Sequence, residues 1–202
     1  MLKLYDNGES RNGHKVLLLL TQLGTPFERV EIDIFKGESR TPEFLAKNPF
    51  GKIPALELDD GTVLAESGAI LWYLADGTPY LPDGKLARAD VLRWMFFEQN
   101  MHETSVAEAR FITRHPEIDP SRREHILPEK LRRGNVALKL MDQHLARHDF
   151  FAAGRYTIAD IALYAYTSVA NQGGFDLARY PAIQAWLARI AAQPRFIAGS
   201  TG

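Results

Sequence analysis

The local structural signals change character at residue 78, and that change constrains the fold more than any other feature of the 202 residues. Before it, strand and helix patterns alternate. Residues 2–5 read as a strand and residues 12–23 as a buried helix stopped by Gly24. Residues 27–33 alternate as a second strand. Residues 42–47 make a short helix, with Thr41 as its cap and proline at its first position. Residues 55–58 and 62–65 flank Asp59-Asp60-Gly61, a hairpin signal, and residues 66–75 are a further helix. The predicted order is β-α-β-α-β-β-α, an α/β domain over residues 1–77. Residues 78–84, Thr-Pro-Tyr-Leu-Pro-Asp-Gly, read as a linker. Over 85–202 only helical periodicity remains: a long helix at 86–111, a loop with Pro116, Pro120 and Pro128, and helices at 130–145 and 157–169. A last helix carries Ile183, Trp186, Leu187 and Ile190.

Cysteine is absent, which excludes disulfides, thiolate metal sites and a nucleophilic cysteine of the chain's own. His144 and His148 have ligand spacing on a helix but lack the acid of a metal motif, so they read as a solvated face and no metal is predicted. The formal net charge of −1 argues against bulk nucleic-acid or membrane binding. Residues 1–77 hold 8 Lys+Arg and 12 Asp+Glu, giving −4, and the remainder 16 and 13, giving +3, a mild field suited to an anionic ligand between the domains. Met1-Leu2-Lys3-Leu4 does not open like a signal peptide, and the apolar run from Val16 to Leu20 is too short to span a bilayer, so a cytoplasmic protein is expected.

Three segments carry candidate chemistry. In Asn48-Pro49-Phe50-Gly51-Lys52-Ile53-Pro54-Ala55-Leu56, a proline that cannot donate to a ladder stands directly before an apolar strand. A cis Ile-Pro bond there would turn the Ile53 backbone outward, where it can grip a peptide as an added strand would. Glu66-Ser67 opens a helix straight after a strand. A helix tip binds carboxylates, the Ser67 hydroxyl can add a hydrogen bond, and Glu66 can pair with an ammonium; together they suit an α-amino acid head group. Ser10-Arg11-Asn12-Gly13-His14-Lys15 joins the first strand to the first helix and can cap that helix or bond a ligand above it.

The order of these pieces resembles the glutathione transferase superfamily over essentially the whole chain. Asn48-Pro49 through Pro54-Ala55-Leu56, then Glu66-Ser67 and Ala69-Ile70-Leu71-Trp72-Tyr73-Leu74, are similar to its N-terminal domain. Tyr156-Thr157-Ile158-Ala159-Asp160-Ile161 resembles the capping box of its helical domain, a structural motif. The resemblance implies a thioredoxin-like N-terminal domain, a C-terminal helical bundle, and glutathione as co-substrate. It implies that the Ile53 backbone before Pro54 pairs with the cysteinyl unit, that Glu66 and Ser67 hold the γ-glutamyl head, and that Lys52 reaches the glycyl carboxylate. A further contact is implied from the loop after the second strand: Lys36, Glu38, Ser39 or Arg40.

The family activates the thiol with Tyr, Ser or Cys. Composition excludes Cys. Ser10-x-Asn12-x-x-Lys15 after the first strand resembles bacterial serine-type relatives, which implies Ser10 first, Asn12 second as an amide donor, and Tyr5 third. An acceptor site between the domains is implied on the long helix, with Gln99, His102, Arg110, Phe111 and Arg114 as candidates beside Phe96 and Glu103. Relatives form homodimers, and Glu98, Gln99 or Glu103 could approach the partner's glutathione. The implied activity is attack of the glutathione thiolate on a small electrophile, as in detoxification. Two rivals remain: glutathione-dependent peroxide or disulfide reduction at the same site, and a non-catalytic glutathione-binding interaction protein.

Overall fold

A computed structural model describes residues 1–199 and divides into two compact units. One comprises residues from Met1 to Thr78 together with the segment that begins at Pro194; the other runs from Pro79 to Gln193. The first unit holds strand β1 (Leu2–Asp6), helix α1 (Arg11–Leu23), β2 (Phe27–Glu31), α2 (Pro42–Lys47), β3 (Ala55–Glu57), β4 (Val63–Ala65) and α3 (Ser67–Ala75), the order read from the sequence. The sheet order is β2-β1-β3-β4; β1 and β2 are parallel, and β3 is antiparallel to both neighbours.

Side-chain alternation sorts the two faces of this sheet. Leu4 and Leu56, a cross-strand pair, join Val16 and Leu20 of α1 and Ile70 of α3 on one face. Tyr5 and Ala55, the adjacent pair, pack with Phe44 of α2 on the other. Thr41 Oγ1 accepts from Phe44 N at 3.3 Å and so starts α2. Gly61, at φ +86, turns the β3–β4 hairpin in a conformation that favours glycine.

The second unit is helical. Helices α4 (Lys85–Phe97) and α5 (Glu103–Arg114) are joined by one π-helical turn over Glu98–His102, so the single long helix read from the sequence is interrupted. Then come α6 (Ser121–His125), α7 (Leu127–Leu145), α8 (Ile158–Thr167) and α9 (Pro181–Ala191). The region read as a linker is part of this packing: Leu81 is buried and Tyr80 O accepts from Ile158 N at 3.0 Å.

The end of the chain departs from the boundary drawn at residue 85, because it returns to the first unit. Gln22 donates to Pro194 O, and the Arg195 guanidinium lies over Gly24, whose αL conformation ends α1.

Thr157 and Asp160 form the capping box of α8. Asp160 accepts from Thr157 N at 3.0 Å, Phe151 N at 3.1 Å and Trp186 Nε1 at 3.0 Å, tying α8 to the preceding loop and to α9. Burial nevertheless pushes its carboxyl from 3.8 up to about 6. The folded protein therefore holds this proton more tightly than the unfolded chain, and the resulting stability is full below the unfolded value and lost as pH rises through about 6. Asp160→Asn removes that titration. In urea unfolding, its deficit against the wild type should be smaller at about pH 7.5 than at about pH 4, by up to about 3 kcal/mol. An equal deficit at both would refute the assignment.

Candidate active site

The sheet register brings the three candidate segments to one end. Tyr5, Ala55 and Ala65 stand in a row across β1, β3 and β4. From this row β1 runs on through Asp6 into the loop bearing Ser10, β3 is entered from Ile53-Pro54, and β4 leaves into Glu66-Ser67. Ser67 Oγ lies 3.4 Å from Asn12 Oδ1, so the starts of α1 and α3 meet.

The Ile53–Pro54 bond is cis. Among the described residues, nothing hydrogen-bonds the N–H or C=O of Ile53, which lies two residues before the first ladder residue, Ala55. The turn before it is held by Asn48, itself buried, which donates to Lys52 O at 2.7 Å and accepts from Phe50 N at 3.1 Å. The four loop candidates differ in place. Lys36 pairs with Asp33 at 3.1 Å, Glu38 accepts from Asp33 N, and Ser39 is buried. Arg40 reaches across to Phe50 O at 3.3 Å and lies on Gly51, where a Cβ would fall 2.6 Å from Nη1. Arg40 and Lys52 thus put two exposed cations on this segment.

Glu66 precedes α3 at φ 68, ψ 115, a backbone region that a side chain enters only under strain. Its carboxylate does not cap α3 and pairs with nothing among the described residues. The first N–H groups of α3 therefore have no side-chain acceptor of their own, and the tip keeps its affinity for an anion. Ser67, the first helical residue, is buried beside it.

Ser10 caps α1: its Oγ accepts from Gly13 N at 3.0 Å, which leaves its O–H to donate elsewhere. The loop is fastened to β2 and its extension, as Asn7 Nδ2 donates to Ile32 O and Gly8 N to Glu31. Glu9 beside Ser10 is exposed. Tyr5 points to the α2 face of the sheet, where its hydroxyl donates to Glu57 at 2.7 Å. It therefore faces away from Ser10 and α1.

In the helical unit, Gln99 is exposed and Phe111 and Arg114 are half-buried; Phe111 packs on His115. His102 is fully enclosed, 2.9 Å from Thr167 Oγ1, and Arg110 is buried with Nε donating to Gln172 at 2.6 Å. Of these two candidate lining residues, His102 stands on the π-helical turn and Arg110 on α5, and each makes an internal contact. The His144 and His148 rings stack on each other, and among the described residues no group of three or more His, Asp or Glu could hold a metal. Among the described residues, no helix is long and apolar enough to cross a membrane.

Such a sheet, a peptide-sized edge beside an uncapped helix tip and a helical second unit define a thioredoxin-like domain with an α-helical partner. The family model for the glutathione S-transferase N-terminal domain matches residues 1–76, and that for the C-terminal domain residues 105–194. The chain is similar to a glutathione S-transferase structure from Pseudomonas fluorescens (49% identity, TM-score 0.94, 98% of each chain). It is also 33% identical to glutathione S-transferase 3 of Zea mays, over 96% of this chain and 91% of that protein. It is 32% identical to the disulfide-bond oxidoreductase YfcG of Escherichia coli K12, over 91% and 87%. The chain belongs to the glutathione S-transferase superfamily.

Because the Glu66 backbone is strained, Glu66→Gly should raise stability by about 1 kcal/mol, the released strain being partly offset by the entropy of glycine. Chemical unfolding tests this, and a clear loss of stability would contradict it.

Proposed function

We propose that the chain is a glutathione transferase that activates the thiol of glutathione as a thiolate for attack on a small electrophile. The observation that carries this reading is the juxtaposition, at one end of the sheet, of an unpaired Ile53 backbone, an uncapped α3 tip and the Ser10 hydroxyl. Glutathione is an extended γ-glutamyl tripeptide. Its cysteinyl unit would pair with Ile53 as an added strand, and its γ-glutamyl carboxylate would sit on the α3 tip and Ser67, with Glu66 taking the ammonium. Lys52 and Arg40 would take the glycyl carboxylate.

The free thiol has a pKa of about 8.5, so only a few per cent is ionised at neutral pH. A hydroxyl donated by Ser10 to the sulfur, with the α1 tip behind it, favours the anion. Asn12 would support the same atom or hold Ser67. Gln99, Phe111 and Arg114 remain candidates for the electrophile's contacts. A cytoplasmic homodimer acting in detoxification accords with this reading.

A second reading has a specific support. The similarity to a disulfide-bond oxidoreductase, in a chain without cysteine, favours disulfide reduction in which two glutathiones supply both attacking thiols, the substrate disulfide leaves as two thiols and glutathione disulfide is formed. Parallel assays with an aryl halide, an organic hydroperoxide and a small disulfide separate the activities.

Ser10→Ala should raise the pKa of the bound thiol by about one unit, about 1.4 kcal/mol, and lower kcat/KM about tenfold at neutral pH. The thiolate ultraviolet band followed against pH measures the first quantity. Unchanged turnover in the Ser10→Ala, Asn12→Ala double variant would overturn the mechanism.

A further inference from the structure

Behind the loop that carries Ser10 lies a second polar group that thiol activation, as described, does not use. Asp6 ends β1 and is fully enclosed. Its Oδ2 accepts from Arg29 Nη2 of β2 at 2.8 Å, while Oδ1 is buried with no hydrogen-bond partner among the described residues. The carboxylate rests on Gly13, where a Cβ would fall 1.6 Å from Oδ1. Gly13 also donates its N–H to Ser10 Oγ. A single residue, with no side chain, thus touches both the unpartnered oxygen and the hydroxyl. Asp6 and Ser10 line one cavity of about 180 Å³ with His14, Leu17 and Arg29, bounded by Gly8 and by Ala198-Gly199. That space has a mixed polar and apolar lining and is large enough for several waters.

We propose that Asp6 is the internal acceptor of the glutathione thiol proton, reached from Ser10 through this cavity. The proposal rests on the glutathione-activating reading. The S–H bond breaks and sulfur keeps the electron pair; a proton passes along the hydroxyl and cavity water, and an O–H bond forms at Oδ1. In an addition the proton returns to the carbanion formed on the electrophile. In a substitution it passes to solvent as the leaving anion departs.

The groups around Asp6 suit this role. Arg29 and Glu31 face it from β2, and Arg11 and His14 stand on α1. From β3 the only charge is Glu57, which is bound to Tyr5 and Lys47. Burial outweighs the pairing with Arg29 and holds Asp6 at about 6, so the carboxylate is ionised at neutral pH yet able to take a proton. A thiolate formed nearby raises it further. His14 is pushed down to about 3 by burial and by Arg11 and Arg29, and is no competing base.

The test uses the full chain. Protons released per glutathione bound are measured by calorimetry in buffers of different ionisation enthalpy, beside the thiolate band and the pH profile of kcat/KM. The wild type should form thiolate while releasing clearly less than one proton. Asp6→Asn should release about one proton per thiolate, lose the acid limb near pH 6 and fall about tenfold in kcat/KM. Arg29→Met keeps the carboxylate and should move that limb upward by about half a unit or more; it decides the matter should Asp6→Asn not fold. Thiolate with full proton release in the wild type, or an unmoved limb in Arg29→Met, overturns the role of Asp6 alone. Absence of thiolate in the wild type overturns this role together with the glutathione-activating reading.

Discussion

Strand β3 is three residues long, and its pairing between β1 and β4 is the contact on which the candidate site depends. Because both ladders are antiparallel, the entry to β3 lies beside the exits of its neighbours. The side-chain period of two then fixes which residues arrive there. A slip of one residue would send Leu56 to the α2 face and take Leu4's partner out of the core. The apolar packing of Leu4, Leu56, Val16, Leu20 and Ile70 therefore does more than stabilise the sheet. It sets the register that puts Ile53, Ser67 and the Ser10 loop in one neighbourhood.

That neighbourhood is left electrically incomplete. Asn48 spends its polar atoms on the turn, and Ser10 spends one lone pair on Gly13 N, yet the tip of α3, the Ile53 backbone and the charges of Glu66 and Lys52 have no partner among the described residues. Donors at a helix tip, a single carboxylate and exposed cations at the opposite side match a ligand with a zwitterionic head and an anionic tail. The strain at Glu66 accords with a residue held for binding at some cost to stability.

Much of this was legible in the sequence, because the signals are local. Pro54 before an apolar run, Asp60-Gly61, Thr41-Pro42 and Thr157 with Asp160 each dictate backbone geometry within a few residues, and each appears where it was read. What escaped depends on distant packing. Nothing near Arg40 says that its guanidinium lies on Gly51, eleven residues on. The π-helical turn at Glu98–His102 leaves no mark in a pattern that continues as a helix on both sides. His102 and Arg110 carry polar side chains, and only the tertiary contacts with Thr167 and Gln172 reveal that they point inward. Asp6 gave a faint signal, an acid at the end of a buried strand followed seven residues later by a glycine; its partner Arg29 lies on another strand.

The most direct test of the account is a crystal structure with glutathione bound. The cysteinyl backbone should pair with Ile53, the γ-glutamyl carboxylate should lie on the α3 tip at Ser67, and the sulfur should stand within about 3.2 Å of Ser10 Oγ. A tripeptide bound without touching both Ile53 and the α3 tip, or with its sulfur turned away from Ser10 and Asn12, would contradict it.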